Sequence, residues 1–153
     1  MRLHMFAAAT LSSLVLANAP AAAGALSLRI AGVKSDEGIV RLCVFSESSS
    51  KPEAYPDCQA GAPVKSANAA IKGGEATVTF KNLPDGAYAV SLFHDADGDG
   101  KISMKSMFGV ATAIPREGIG ISNNPTLYGK PKFTQARFTV KGETAITITM
   151  KYF

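Results

Sequence analysis

Histidine is almost missing from this chain of 153 residues. There are two, and one of them, His4, sits in the first few residues. A zinc site built from several imidazoles therefore lacks ligands, and a Ser-His-Asp triad would have to rest on His94. No G-x-S-x-G segment occurs, which removes that nucleophile motif as well. Cysteine is scarce too: Cys43 and Cys58 are the only two, and their spacing is not the C-x-x-C of a redox pair. Internal repeats and heptads are absent, which excludes solenoids and coiled coils. No basic stretch is interleaved with aromatic residues, so nucleic acid is not an expected partner. Beyond the N-terminus no apolar run approaches the roughly 20 residues that a membrane-spanning helix needs.

The N-terminus itself reads as an export signal. Arg2 supplies the positive charge, Met5 to Ala17 is mostly apolar, and Ala21-Ala22-Ala23 fits the small-residue cleavage rule. The apolar run is short for an anchor. Residues 1–23 are therefore expected to be a signal peptide and 24–153 a single domain, in the periplasm or secreted. In an oxidising compartment an even cysteine count argues for a disulfide between Cys43 and Cys58.

Charge is uneven along that domain. Residues 24–100 carry seven Lys/Arg against ten Asp/Glu, and residues 101–153 carry eight against two. The basic second part suits an anionic surface or another envelope component, such as lipid headgroups or polysaccharide; solubility alone is the simpler account.

Apolar residues alternate at period two between Gly, Pro and Asp clusters, the pattern of an all-β chain. Leu26, Leu28 and Ile30 form one inward row, Val40, Leu42 and Val44 a second, and Tyr88, Val90 and Leu92 a third. Cys43 then points outward beside Phe45, and a bridge to Cys58 folds segment 46–63 over that face. Pro84-Asp85-Gly86 is a turn. Phe133–Val140 and Ile146–Tyr152 resume the alternation. About seven such strands make an antiparallel β-sandwich of the transthyretin-like or immunoglobulin-like kind. The 95–132 connection is far longer than ordinary loops and too apolar for disorder. It is expected to pack on the sandwich, with 95–124 as a working surface and with His94, Ser122, Asn123 and Asn124 as binding-surface candidates.

Asp95, Asp97 and Asp99 followed by Gly100 match the opening of a calcium loop, D-x-[DN]-x-[DN]-G. Lys101 would add its carbonyl. The twelfth position, where a bidentate Glu belongs, is Ser106, so a more distant carboxylate such as Glu117 would complete the shell. The competing account is a solvated Asp-Gly turn. His94 next to Asp95 suggests acid/base work with Asp95 or Asp99, but adjacent strand residues face opposite ways. A histidine packed against a tyrosine or loop backbone fits better.

The segment L-P-D-G-A-Y-A-V-S-L-F-H-D-A-D-G-D-G-K (83–101), together with G-I-G-I-S-N-N (118–124), resembles the signature of a bacterial exported family known as domain of unknown function 2141. The resemblance covers the whole exported part. It implies a β-sandwich in the envelope or outside the cell, and it carries no enzymatic assignment. Members often have Asn at the positions of Asp97 and Asp99, which still ligates calcium through its amide oxygen. Ser103 and Ile121 depart from the family's usual Asp and Phe. Three roles follow: a non-catalytic binding or accessory module, a periplasmic enzyme using His94, or a purely structural envelope protein.

Overall fold

The computed structural model describes residues 23–153. The expected signal peptide lies outside these apart from its last residue, Ala23, which already opens the first strand. Ten strands follow one another: β1 (Ala23–Ala31), β2 (Ile39–Ser46), β3 (Lys65–Ala70), β4 (Ala76–Pro84), β5 (Gly86–Asp95), β6 (Met104–Met107), β7 (Val110–Pro115), β8 (Ile119–Ile121), β9 (Phe138–Val140) and β10 (Glu143–Thr149). Among the described residues helix is confined to a short 3-10 turn at Pro52–Ala54 and one turn, α1, at Phe133–Ala136. No helix there is long and apolar enough to cross a membrane.

Two sheets face each other as a β-sandwich. One has the order β10-β1-β4; the other runs β3-β2-β5, with β8 and β9 both paired to the outer edge of β5. Strands β6 and β7 pair only with each other. The three inward rows expected from alternation all meet in the core: Leu26, Leu28 and Ile30 from β1, Val40, Leu42 and Val44 from β2, Tyr88, Val90 and Leu92 from β5. Alternation places them because successive strand residues point to opposite faces.

The strand pairings do not all follow chain order. Strands adjacent in sequence do not form hairpins across the 84–86 turn or at the C-terminus: β4 and β5 lie in opposite sheets, as do β9 and β10. The Pro84-Asp85-Gly86 turn is thus a corner between sheets. The sandwich is also not wholly antiparallel, because β10 runs parallel to β1, with Leu28 opposite Ile146 and Ile30 opposite Ile148. The cause is the route of the chain. Strand β9 ends on β5, and the Lys141–Gly142 turn carries the chain across to the remaining free edge of β1. Asp85 Oδ1 accepts the Gly142 N–H (2.9 Å) and holds that turn to the corner. Phe133–Ala136, read as the start of a strand, is α1; its buried residues, Phe133 and Ala136, are three apart, the spacing of one helical face.

Strands β2 and β5 are buried on both faces. Outside the sandwich a second apolar cluster joins Cys43, Phe45, Ala89 and Ile121 to Tyr55, Phe133 and Ala136. Cys43 and Cys58 are disulfide-bonded and bring segment 46–63 over this face. Tyr55 packs edge-on against Phe45 and Phe133, with ring centroids 5.1 and 6.0 Å away. Its hydroxyl donates to the Val90 carbonyl at 2.7 Å, and burial pushes the phenol far above its ordinary pKa.

The disulfide closes a separation of 15 residues. Replacing both cysteines with alanine should lower unfolding free energy by about 3 kcal/mol in the chain-entropy account, measured by urea titration. Alkylation of both cysteines without reductant would contradict the bridge.

Candidate functional site

Strand β5 ends at His94 and Asp95, and their side chains leave in opposite directions. His94 is enclosed. Its Nε2 lies 2.7 Å from the Glu37 carbonyl, which can only accept, so Nε2 carries the proton. Its Nδ1 lies 2.9 Å from the Tyr152 hydroxyl, which donates to it. Tyr152 in turn accepts the Lys34 N–H at 3.0 Å, and Lys34 Nζ sits 4.5 Å over its ring. The histidine thus ties the β1–β2 turn to the C-terminal segment. Both ring nitrogens are engaged, and Asp95 faces away, so the strand does not assemble the pair that acid/base work would need.

Asp95 is fully buried. Its Oδ2 is paired with Arg41 Nε from β2 and accepts the Gly100 N–H at 3.1 Å. Burial on its own raises the carboxyl pKa. The Arg41 hydrogen bond and charge, with the N–H groups of Gly100 and Gly98, outweigh that and hold it below the usual aspartate value. The other oxygen, Oδ1, is buried without a hydrogen-bond partner.

Asp95, Asp97 and Asp99 converge as expected: each offers a ligand atom within 4.8 Å of the others. Asp97 Oδ1 accepts the Asp99 N–H (3.1 Å) and Asp99 Oδ1 accepts the Lys101 N–H (2.8 Å), a succession of Asx turns. Glu117, the expected distant ligand, is outside this group. Its Oε2 accepts the Ser103 N–H at 2.8 Å instead. Asp97, Ser103, Arg116 and Glu117 share the wall of an open cleft of about 380 Å³ with His94 and Tyr152.

The S-N-N segment is placed differently from expectation. Ser122 is fully buried, not surface-exposed. Its hydroxyl accepts the Val90 N–H at 2.8 Å and donates to the Ala136 carbonyl at 2.6 Å. His94 is likewise interior. Asn123 and Asn124 are exposed, yet both amides are used. Asn123 Nδ2 donates to the Gln135 carbonyl (3.2 Å). Asn124 donates to the Thr147 carbonyl (3.0 Å) and accepts the Thr149 N–H (2.8 Å), so it covers the free edge of β10 as a strand would. The glycines before them are needed for space. A Cβ at Gly118 would strike the Tyr152 ring, and one at Gly120 would strike Leu92 and Ile148.

The 95–132 connection does not lie down on the sandwich along its whole length. Strand β8 does. The β6–β7 hairpin projects instead, anchored at its base by the Arg116 N–H to Ser103 carbonyl bond (2.9 Å) and by Lys105 Nζ on the Phe153 main-chain oxygen. Met107 pairs with Val110 across a two-residue tip, Phe108-Gly109, in which both residues have positive φ (52° and 79°). Such a tip matches the twist of a hairpin, and Asn-Gly is its usual occupant. A phenylalanine there costs about 1–2 kcal/mol of backbone strain. Phe108 is wholly exposed, Val110 69% and Met107 58%. No alternation marks these strands, because neither face is buried, and the Phe-Gly tip lacks the common turn signal.

The sequence model of a bacterial family described as an uncharacterized protein conserved in bacteria, DUF2141, matches residues 28–148, from β1 into β10. No curated protein and no solved structure matches the chain.

Removing Arg41 leaves the Asp95 carboxylate buried and unpaired. Arg41→Ala should cost about 2–3 kcal/mol, less than a fully enclosed pair because the guanidinium is one-third exposed. Asp95 has a lower pKa folded than its ordinary 3.8. Its contribution is therefore complete above that value and lost as pH falls through the lower folded value. Urea midpoints measured across that range should flatten in Asp95→Asn relative to the parent chain.

Proposed function

The chain belongs to the DUF2141 family, and on that premise we propose that it is an exported, non-catalytic β-sandwich that acts as a binding or accessory module through the surface 95–124. The observation that carries this reading is the hairpin. Met107, Phe108 and Val110 stand together in solvent at the end of a projection, with Ile102, Met104 and Ile114 also exposed below them; Tyr128 and Phe153 are exposed elsewhere in the chain. Exposed apolar clusters of this kind mark interaction sites. The N-terminal export pattern and the disulfide support a location outside the cytoplasm. The enclosed His94, with both nitrogens occupied, supports a structural rather than a catalytic use.

Excising 104–115 and joining its ends by a short Gly-containing turn tests the reading, since Ser103 and Arg116 are already hydrogen-bonded. The thermal midpoint should stay near that of the intact chain, and association with the bacterial envelope fraction should be lost. Undiminished association would overturn the reading. Protein recovered from that fraction should begin near Gly24; an intact Met1 in the cytoplasm would remove the export step.

Calcium at the aspartate loop is the second part of this reading. It is favoured by one observation: Asp95 Oδ1 is buried with no partner beside two further carboxylates. A hard divalent ion would satisfy that oxygen and relieve the mutual repulsion of the three groups. Asp95, Asp97 and Asp99 are the side chains that would hold it, and Lys101 would add its carbonyl. At 100 times its dissociation constant, calcium should add about 2.7 kcal/mol, raising the midpoint by about 10 °C in a domain of this size. The shift should vanish in Asp97→Ala. No shift in the parent chain would return the loop to turn chemistry.

A further inference from the structure

We propose that the β6–β7 hairpin docks on an anionic lipid surface, with Met107, Phe108 and Val110 entering the interface and Lys101 and Arg116 meeting the phosphates. This inference rests on the binding-module reading and names the partner of that surface. Three features of the molecule point to lipid.

The first is shape. The apolar side chains sit on a convex tip two residues wide, where Phe108 holds a strained left-handed conformation and receives nothing from the protein in return. Strain kept at an exposed aromatic indicates that its contacts come from outside the chain. A narrow wedge has little area to bury against a flat protein face, whereas a bilayer interface closes around it.

The second is charge. Residues 101–116 contain Lys101, Lys105 and Arg116 and no acid. Lys101 and Arg116 are exposed at the two ends of the hairpin, on the sandwich side of the apolar tip. Apolar groups foremost with cations behind them is the order in which a bilayer presents acyl chains beneath anionic phosphates. Acids lie close by: Asp97 and Glu117 share a cleft wall with Arg116, Asp99 Oδ1 accepts the Lys101 N–H, and Glu117 is turned onto the Ser103 N–H.

The third is depth. Strands β6 and β7 pair only with each other, so each has a free edge. Such edges cannot enter hydrocarbon, where unpaired backbone groups have no water. From Met104 to Met107 the strand rises about 10 Å, which matches the boundary between headgroups and acyl chains, about 5–10 Å deep. Only the tip need pass that boundary. Binding is accordingly reversible rather than an insertion.

The test is co-sedimentation of residues 23–153, which carry both sheets and the whole core described above. The N-terminal apolar segment is omitted because it would bind vesicles by itself. Protein-free vesicles of three parts phosphatidylethanolamine to one part phosphatidylglycerol are compared with vesicles of phosphatidylcholine alone, in chelator so that calcium bridging plays no part. The chain should pellet with the anionic vesicles. Phe108→Ser should weaken binding about tenfold, the effect of withdrawing one aromatic side chain from the interface. Lys101→Gln and Arg116→Gln should each weaken binding about fivefold on anionic vesicles, and the preference over phosphatidylcholine should shrink. Phe108 touches no core residue, so its variant should keep the parent midpoint. Equal pelleting of parent and Phe108→Ser, or no pelleting of either, overturns the inference. If excision of the hairpin abolishes envelope association while vesicles are ignored, the occupant is a protein: the lipid inference falls and the binding-module reading stands. If excision leaves envelope association intact, that reading falls too.

Discussion

The rest of this structure depends on the burial of one strand pair on both of its faces. Among the described residues, strands β2 and β5 supply six of the seventeen that are buried in the sandwich core, Val40, Leu42, Val44, Tyr88, Val90 and Leu92. Their opposite faces carry Cys43, Phe45 and Ala89, which are equally buried. A two-sheet sandwich covers only one face of each sheet, so the other face needs its own cover. Here it comes from two irregular segments. Segment 46–63 arrives from the end of β2 and is held by the disulfide and by Tyr55. Segment 122–137 arrives from β8 and is held by Phe133 and Ser122. Irregular backbone over an apolar surface must satisfy its own polar groups, and the hydroxyls of Tyr55, Ser91 and Ser122 all bond main-chain groups there.

The same pair explains the polar residues at its end. Strand β5 leaves the core at His94 and Asp95, and each is enclosed on its own side. Arg41, the one charged residue of β2, reaches Asp95 across the β2–β5 ladder, and the Glu37 carbonyl and Tyr152 hydroxyl take His94. An unsatisfied buried charge is far more costly than an exposed one, so the strand end is fixed on both faces. The aspartate loop and the hairpin therefore begin from a rigid point, and a projecting surface needs such a base if its few side chains are to act together.

The face of each strand was legible in the sequence, because period-two alternation encodes which side is apolar. Leu26, Leu28 and Ile30 were placed by it, and so was the outward turn of Cys43 towards Cys58. Neighbours were not legible. Alternation says nothing about which strand lies alongside, and the chain changes sheets at Pro84–Gly86 and at Lys141–Gly142. Residues whose roles depend on distant partners were misjudged for the same reason. Ser122 and Asn124 looked like surface groups in a polar loop, but one closes the Val90 and Ala136 main chain and the other caps the edge of β10. The missed helix at Phe133–Ala136 did leave a signal, an aromatic and an alanine three residues apart. The β6–β7 hairpin left none, since exposure on both faces erases the alternation by which strands are read.

That last failure carries physical information. A segment whose apolar residues follow neither the strand period nor the helix period is not patterned for the core of its own chain. In 101–116 the most exposed apolar residues, Met107, Phe108 and Val110, are at the tip, while Ile102, Met104 and Ile114 lie nearer the base together with Lys101 and Arg116. Core packing cannot produce that order, because a core selects faces. Lys101 and Arg116 at one end and Phe108 at the other read as a gradient of polarity normal to the sandwich surface. The lipid surface proposed as its partner is layered in the same direction. Such an order is more specific than exposure alone, which any floppy loop would satisfy, and it is the reason a layered surface is proposed for the hairpin.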